Sequence, residues 1–288
     1  MDRGEVEGGF RELQHDLCRV LAEVDGTTAF GVDQWERPGG GGGITRILEG
    51  QHLEKAAVNF SAVWGETPPG LAENLSEQTF YATGVSVIVH PRNPHAPTVH
   101  ANLRYFESGR VWFGGGTDLT PCYLYEEDAH HFHRGLAELC RRHPVADYPV
   151  WKAACDSYFY LPHRGEARGI GGIFFDRLDQ RLDEVWGFCL DLGRGFLDLY
   201  LTILDRRLPV PFNDEERSWQ ELRRGRYVEF NLVWDRGTRF GLDTGGRTES
   251  ILASLPPRAR WSYAAEPAEG TPEAELLALL RGTPRDWA

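Results

Sequence analysis

Two stretches, Ser86-Val-Ile-Val-His90 and Thr98-Val-His100-Ala-Asn102-Leu-Arg104, separated by a corner carrying Pro91, Pro94 and Pro97, decide how this chain is read. Each arm has the residue types of a β-strand, in which alternate side chains share a face. Ser86, Ile88 and His90 then point one way on the first arm. Thr98, His100, Asn102 and Arg104 do so on the second. The opposite parity carries Val87, Val89, Leu103 and Tyr105, which supply a packed face. The expected result is a pair of adjacent strands, apolar on one side. The other side presents two imidazoles, an amide, hydroxyls and a guanidinium, which suits binding an anion and moving a proton.

Working outward, strands are expected over 28–35, 44–49, 54–63, 82–90, 98–106 and 110–114. Turns rather than helices separate them, which implies an antiparallel meander. Helices are expected over about 5–24, within an N-terminal helical segment 1–25, and then over 126–142, 148–160, 182–206, 213–224, 248–255 and 272–281. Further strands are expected at 170–175, 226–234 and 260–264. Strands grouped early and helices grouped late point to an α+β fold, a large antiparallel sheet flanked by helices. No internal repeat or linker divides residues 1–288, so one domain is expected. The run Gly39–Gly43 reads as a hairpin loop or a lid. It lacks the Lys-Ser/Thr ending of a phosphate-binding loop.

The 288 residues carry a formal charge of −12, which disfavours a nucleic-acid partner. No apolar run approaches the ~18 residues that span a bilayer, and residues 1–25 do not resemble a signal peptide. Cys18, Cys122, Cys140, Cys155 and Cys189 are odd in number and far apart. They fit reduced thiols in a cytoplasm and argue against a Cys-ligated zinc or iron–sulfur site. Of the 31 basic residues only Lys55 and Lys152 are lysines. Arginine islands at Arg164 and Arg168, Arg223–Arg226, Arg236–Arg239 and Arg247 offer planar forks for carboxylates. Base composition of the genome is the main expected cause of that bias.

Several residues could carry chemistry. Phe113-Gly-Gly-Gly-Thr-Asp118 puts a carboxylate at the exit of an expected tight turn, as a turn cap or as an acceptor for ligand N–H groups. His90, His100, His133 and His163 could surround a divalent metal, although no local metal motif links them. His100 alternatively serves as a general acid or base, since an imidazole titrates near neutral pH. There is no Gly-x-Ser-x-Gly elbow.

The motifs His90-Pro-x-x-Pro, His100-Ala-Asn-Leu-Arg-Tyr-Phe-Glu107, Trp112-Phe-Gly-Gly-Gly-Thr-Asp-Leu-Thr-Pro121, Gly169-Ile-Gly-Gly-Ile-Phe-Phe-Asp176, Gly225–Gly237 and Pro284-Arg-Asp-Trp287 closely resemble the oxygen-dependent coproporphyrinogen III oxidases. The likeness runs from about Phe10 to the C-terminus. Thr45 and Ala57 depart from it, standing where Ser and Gly are expected. That resemblance implies conversion of two propionates of coproporphyrinogen III to vinyl groups, with O2 as co-substrate. Protoporphyrinogen IX, two CO2 and water are the products, and no organic cofactor is used. It implies His100 as proton donor and Asp118 as acceptor of pyrrole N–H bonds. Arg104 and Arg247 become propionate binders, and Ser86, Asn102, Leu103, Gly245 and Gly246 supporting contacts. It further implies His90, His100, His133 and His163 as candidate metal ligands, a homodimer with residues 227–262 in its interface, and a cytoplasmic enzyme without an organellar extension. A histidine-metal hydrolase or decarboxylase and a non-catalytic tetrapyrrole carrier are the competing readings.

Overall fold

A computed structural model describes residues 1–26, 29–67, 79–243 and 245–288. Helix α1 (Arg3–Asp25) opens the chain, capped by Asp2, whose carboxylate accepts from Glu5 N at 3.0 Å. Six strands follow: β1 (Gly31–Glu36), β2 (Gly41–Leu48), β3 (Leu53–Glu66), β4 (Thr79–Pro91), β5 (Thr98–Glu107) and β6 (Val111–Thr120). Next come α2 (Glu126–Arg141), α3 (Tyr148–Tyr158), the short hairpin β7 (Tyr160–Leu161) and β8 (Glu166–Ala167), then β9 (Gly171–Leu178). The last third holds α4 (Leu182–Arg207), α5 (Asp214–Glu229), a π-helical turn (Phe230–Trp234), α6 (Arg236–Asp243), α7 (Thr248–Leu252) and α8 (Pro272–Arg281).

The sheet is a seven-strand antiparallel meander in the order β1-β2-β3-β4-β5-β6-β9. Its register sets the two faces, as the alternation predicts. Val85, Val87, Val89, Val99, Ala101 and Leu103 are buried in the main core. There α1 lies against β3 and β4, and α4 against β5 and β6, with α2 packed on α4. Burying several such side chains, at about 1.5–3 kcal/mol each, is what fastens the helices to that face.

The opposite face is polar. One cross-strand row reads Asp33, Thr45, Asn59, Ser86, Asn102, Gly116 and Phe174; the next reads Ile47, Ala57, Ile88, His100, Asp118 and Gly172. The α5–α7 segment covers part of this face. Tyr227 and Ala253 pack on Ala57 and Ile88, Ser250 bonds Thr45 at 2.6 Å, and Asn59 donates to Ser250 O at 2.9 Å.

Three sequence expectations change. Residues 226–234 are not a strand. Helix α5 starts from a capping box of Asn213 and Glu216 and runs into the π-helical turn. Its buried residues Tyr227, Phe230 and Asn231 follow helical spacing, which the apolar alternation masked. Residues 260–264 are not a strand either. Tyr263 is fully exposed, Ala264 has φ +47°, and Arg260 N bonds Glu221 O on α5. Finally, Gly114, Gly115 and Gly116 form no tight turn: β6 continues through them to Thr120. In the Gly39–Gly43 run the hairpin reading holds, closed by Gly40 N to Arg37 O at 2.9 Å, with Gly41–Gly43 already inside β2. The expected strand start at residue 28 lies outside the described residues.

Candidate active site

Adjacent positions on β5 and β6 bring His100 and Asp118 together, with His100 Nδ1 and Asp118 Oδ1 2.9 Å apart. The second oxygen of Asp118 accepts from Arg168 Nη2 at 2.7 Å. Asp118 and Arg168 are 2% and 1% exposed, so this ion pair is fully desolvated. Three rings wall the guanidinium: Phe159 at 4.0 Å, Tyr227 at 4.6 Å and Phe230 at 4.7 Å. Burial alone would raise the Asp118 carboxyl, but the Arg168 charge and the His100 hydrogen bond outweigh it and hold it below the usual range. An ionised Asp118 accepts the Nδ1 proton of His100 and so fixes the tautomer, leaving Nε2 as the nitrogen that exchanges protons.

Each Asp118 oxygen holds one protein partner and the side chain is buried beside the imidazole and the guanidinium, so in this structure it orients His100.

Arg104 shares the polar face. Its Nη2 donates to Asp176 at 2.7 Å, Nη1 lies 3.5 Å from Asn102 Oδ1, and the guanidinium faces Trp112 at 5.6 Å. The room for it comes from Gly114: a Cβ there would stand 2.8 Å from Asp176 Oδ1 and 2.9 Å from Arg104 Nη2. Asn102 and Ser86 are paired in register and half-buried on the same face. Leu103 is not: its side chain is 2% exposed in the helix-covered core, so only its backbone is near the site. Arg247 flanks α7 and donates Nη2 to Asp33 on β1 at 2.5 Å. Gly245 and Gly246 spend their N–H groups on Leu242 O (3.2 Å) and Gly241 O (2.8 Å) of α6, so neither N–H is free for an anion in this structure.

The four histidines do not converge. His90 is fully buried, with Nδ1 3.2 Å from Thr98 Oγ1 and Nε2 3.0 Å from Ser254 O. Burial, then the charge of Arg224, keeps it neutral far below the usual imidazole range. His133 bonds Tyr148 OH at 2.9 Å and Ile170 O at 3.1 Å, and burial lowers it to about 3. His163 Nε2 bonds Glu229 at 2.8 Å while Nδ1 accepts from Trp234 Nε1 at 2.9 Å. Among the described residues no three His, Cys, Asp or Glu side chains are grouped to hold a metal ion. The set expected from the sequence does not fit one, because three of its four rings already have both nitrogens engaged.

Sequence reasoning passed over Asp33 and Asp176 and took Arg168 for a ligand-facing carboxylate fork, whereas it is buried on Asp118. Asp176 closes the motif Gly169–Asp176, which was the available signal. The aromatic walls of Arg168 come from residues 159, 227 and 230 and left none.

An oriented imidazole with arginine forks on the same face of an antiparallel sheet has the chemistry for acid–base work on a carboxylate-bearing ligand. The family model for coproporphyrinogen III oxidase matches residues 5–287. The oxygen-dependent coproporphyrinogen-III oxidase of Glycine max, a chloroplastic protein, is 47% identical over 306 aligned positions, which cover 99% of this chain and 79% of the relative. This chain belongs to the coproporphyrinogen III oxidase family.

Proposed function

We propose that the chain converts two propionates of coproporphyrinogen III to vinyl groups with O2 as oxidant, giving protoporphyrinogen IX and CO2. The observation that carries this is the buried Arg168–Asp118–His100 line, which aims an imidazole onto the face that also bears Asn102 and Arg104. Arg104 and Arg247 bind propionates, and carboxylate recognition by two separated guanidiniums orients the macrocycle. As CO2 leaves, each reacting side chain gives up a β-hydrogen as a proton and two electrons, and the four electrons from both side chains, with four protons, two of them from solvent, reduce O2 to two water molecules. His100 moves a proton at Nε2, and Asp118 keeps the ring in place while it does so. The reduced tetrapyrrole is electron-rich, so the proposed reaction uses no organic cofactor, and it routes nothing through a histidine-bound metal.

The test is coproporphyrinogen III incubated with the enzyme aerobically and anaerobically, followed by fluorescence of the re-oxidised products. Vinyl products in air alone support the proposal; none in air, or equal yield without O2, removes it.

The proposal includes a homodimer through residues 227–262. Leu232, Val233, Trp234, Leu242 and Trp261 are exposed large apolar side chains in that segment, the kind of patch that another surface covers. Light scattering coupled to size exclusion checks it, and a monomer at assay concentration refutes it. A cytoplasmic location is the matching proposal. All five cysteines are free thiols, and among the described residues no helix is long and apolar enough to cross a membrane.

A further inference from the structure

Several surface arginines grip a carboxylate with a fork, while Arg19, Arg206 and Arg285 each use one N–H. Arg3 grips Glu107 through Nε at 2.8 Å and Nη2 at 2.6 Å, and Arg164 grips Glu229 through the same atoms at 2.8 and 2.6 Å. Arg281 holds Glu266 through Nη1 at 3.0 Å and Nη2 at 2.7 Å. The two arginines of the polar face are of the single-bond kind. Arg104 gives Asp176 a single N–H, at 2.7 Å. Arg247 gives Asp33 a single N–H, at 2.5 Å, and its Nε is buried with no hydrogen-bond partner among the described residues. A planar fork binds a carboxylate best through two parallel bonds. Both site arginines therefore keep donor capacity unspent.

Both pairs are within reach of water, at 34% and 28% side-chain exposure for Arg104 and Asp176, and 37% and 47% for Arg247 and Asp33. Both carboxylates belong to the ligand face. Asp33 stands opposite Thr45 in the row that leads to Asn102, and Asp176 sits in the space left by Gly114. Four strand spacings separate β1 from β5, roughly 19 Å at the usual interval. The pairs thus mark two ends of one face.

We propose that Asp33 and Asp176 are place-holders for substrate carboxylates, each giving up its arginine when a propionate arrives, and that together they set selectivity for a ligand carrying carboxylates at both ends. This rests on the propionate-binding role proposed above for Arg104 and Arg247. Exchanging one carboxylate for another keeps each guanidinium paired throughout, and the released aspartate, already open to water, is taken up by solvent. The incoming propionate gains the second prong that the aspartate leaves unused. A ligand with an uncharged group at either end breaks a pair and offers nothing in return, so it is rejected.

The experiment uses Asp33→Asn, Asp176→Asn and the double variant in the full chain. Each is titrated with coproporphyrin III, the oxidised and unreactive tetracarboxylate, by fluorescence quenching, and assayed for KM and kcat with coproporphyrinogen III in air. Each single variant is expected to bind about two- to fivefold more tightly, the worth of removing one exposed ion pair as competitor. The double variant is expected to gain about tenfold, because sites this far apart act independently. The gain appears in Kd and KM more than in kcat. Unchanged or weaker binding in both single variants overturns the proposal, because aspartates that merely steady their arginines give that result. Absence of turnover in the unmodified enzyme removes the function proposed above, while the titration still decides for or against the place-holders.

Discussion

The polar face has a shut end and an open end, and they handle charge in opposite ways. At the shut end Asp118 and Arg168 are buried, every oxygen of the carboxylate is spoken for, and three rings close over the guanidinium. At the open end Arg104 and Arg247 are each held by one bond to an aspartate that water can reach. A desolvated pair is costly to break and so fixes geometry; an exposed pair is cheap to exchange and so suits an incoming ligand. Fixed and exchangeable charge on one sheet is a division of labour between proton handling and recognition.

That contrast can be broken hardest at Asp118. Asp118→Asn is expected to lower kcat by about 10²-fold or more, the scale of losing a positioned acid–base group, with a smaller change in KM. Steady-state kinetics decide it, and a rate near that of the unmodified enzyme would end the orienting role. Arg168→Met strands the carboxylate and is expected to cost about 3–5 kcal/mol in chemical denaturation. Arg168→Lys restores only part of it, since lysine lacks the planar fork that lies among the rings. Arg104→Ala should raise KM by about tenfold and spare more of kcat, a modest effect because the side chain is one-third exposed.

A smaller effect concerns acid. His133 titrates near 3 in the folded protein against ~6.5 when unfolded. Between those values the unfolded chain binds the extra proton, so the contribution is complete above pH ~6.5 and is lost as pH falls towards 3. His133→Gln is expected to flatten the fall of Tm between pH 6.5 and pH 4; an equally steep fall refutes it. Smallest of all, chelation before the assay is expected to leave aerobic turnover unchanged, since His90, His133 and His163 have their ring nitrogens engaged within the protein.

What was legible in the sequence was local and periodic. The two-residue alternation of β4 and β5 placed Ser86, His100, Asn102 and Arg104 on one face and Leu103 on the other, and the absence of crossover helices gave the meander. Asp118 was identified, but its burial was not, because Arg168 reaches it from 50 positions away. The 226–234 error has the same root. A stretch of alternating apolar residues carries no mark of the capping box a dozen residues upstream that commits it to helix. The aspartates that hold Arg104 and Arg247 were invisible for a related reason: the partners are 72 and 214 positions apart.

The aromatic walls of Arg168 have a consequence for how the molecule comes into being. Phe159 emerges from the ribosome some seventy residues before Phe230, and until the later segment arrives the guanidinium and the carboxylate it serves have no dry shelter. Competence for chemistry therefore arrives late in synthesis, and a nascent chain cut short before residue 227 would carry its histidine on a finished meander, steadied only by an ion pair that two of its three rings do not yet cover.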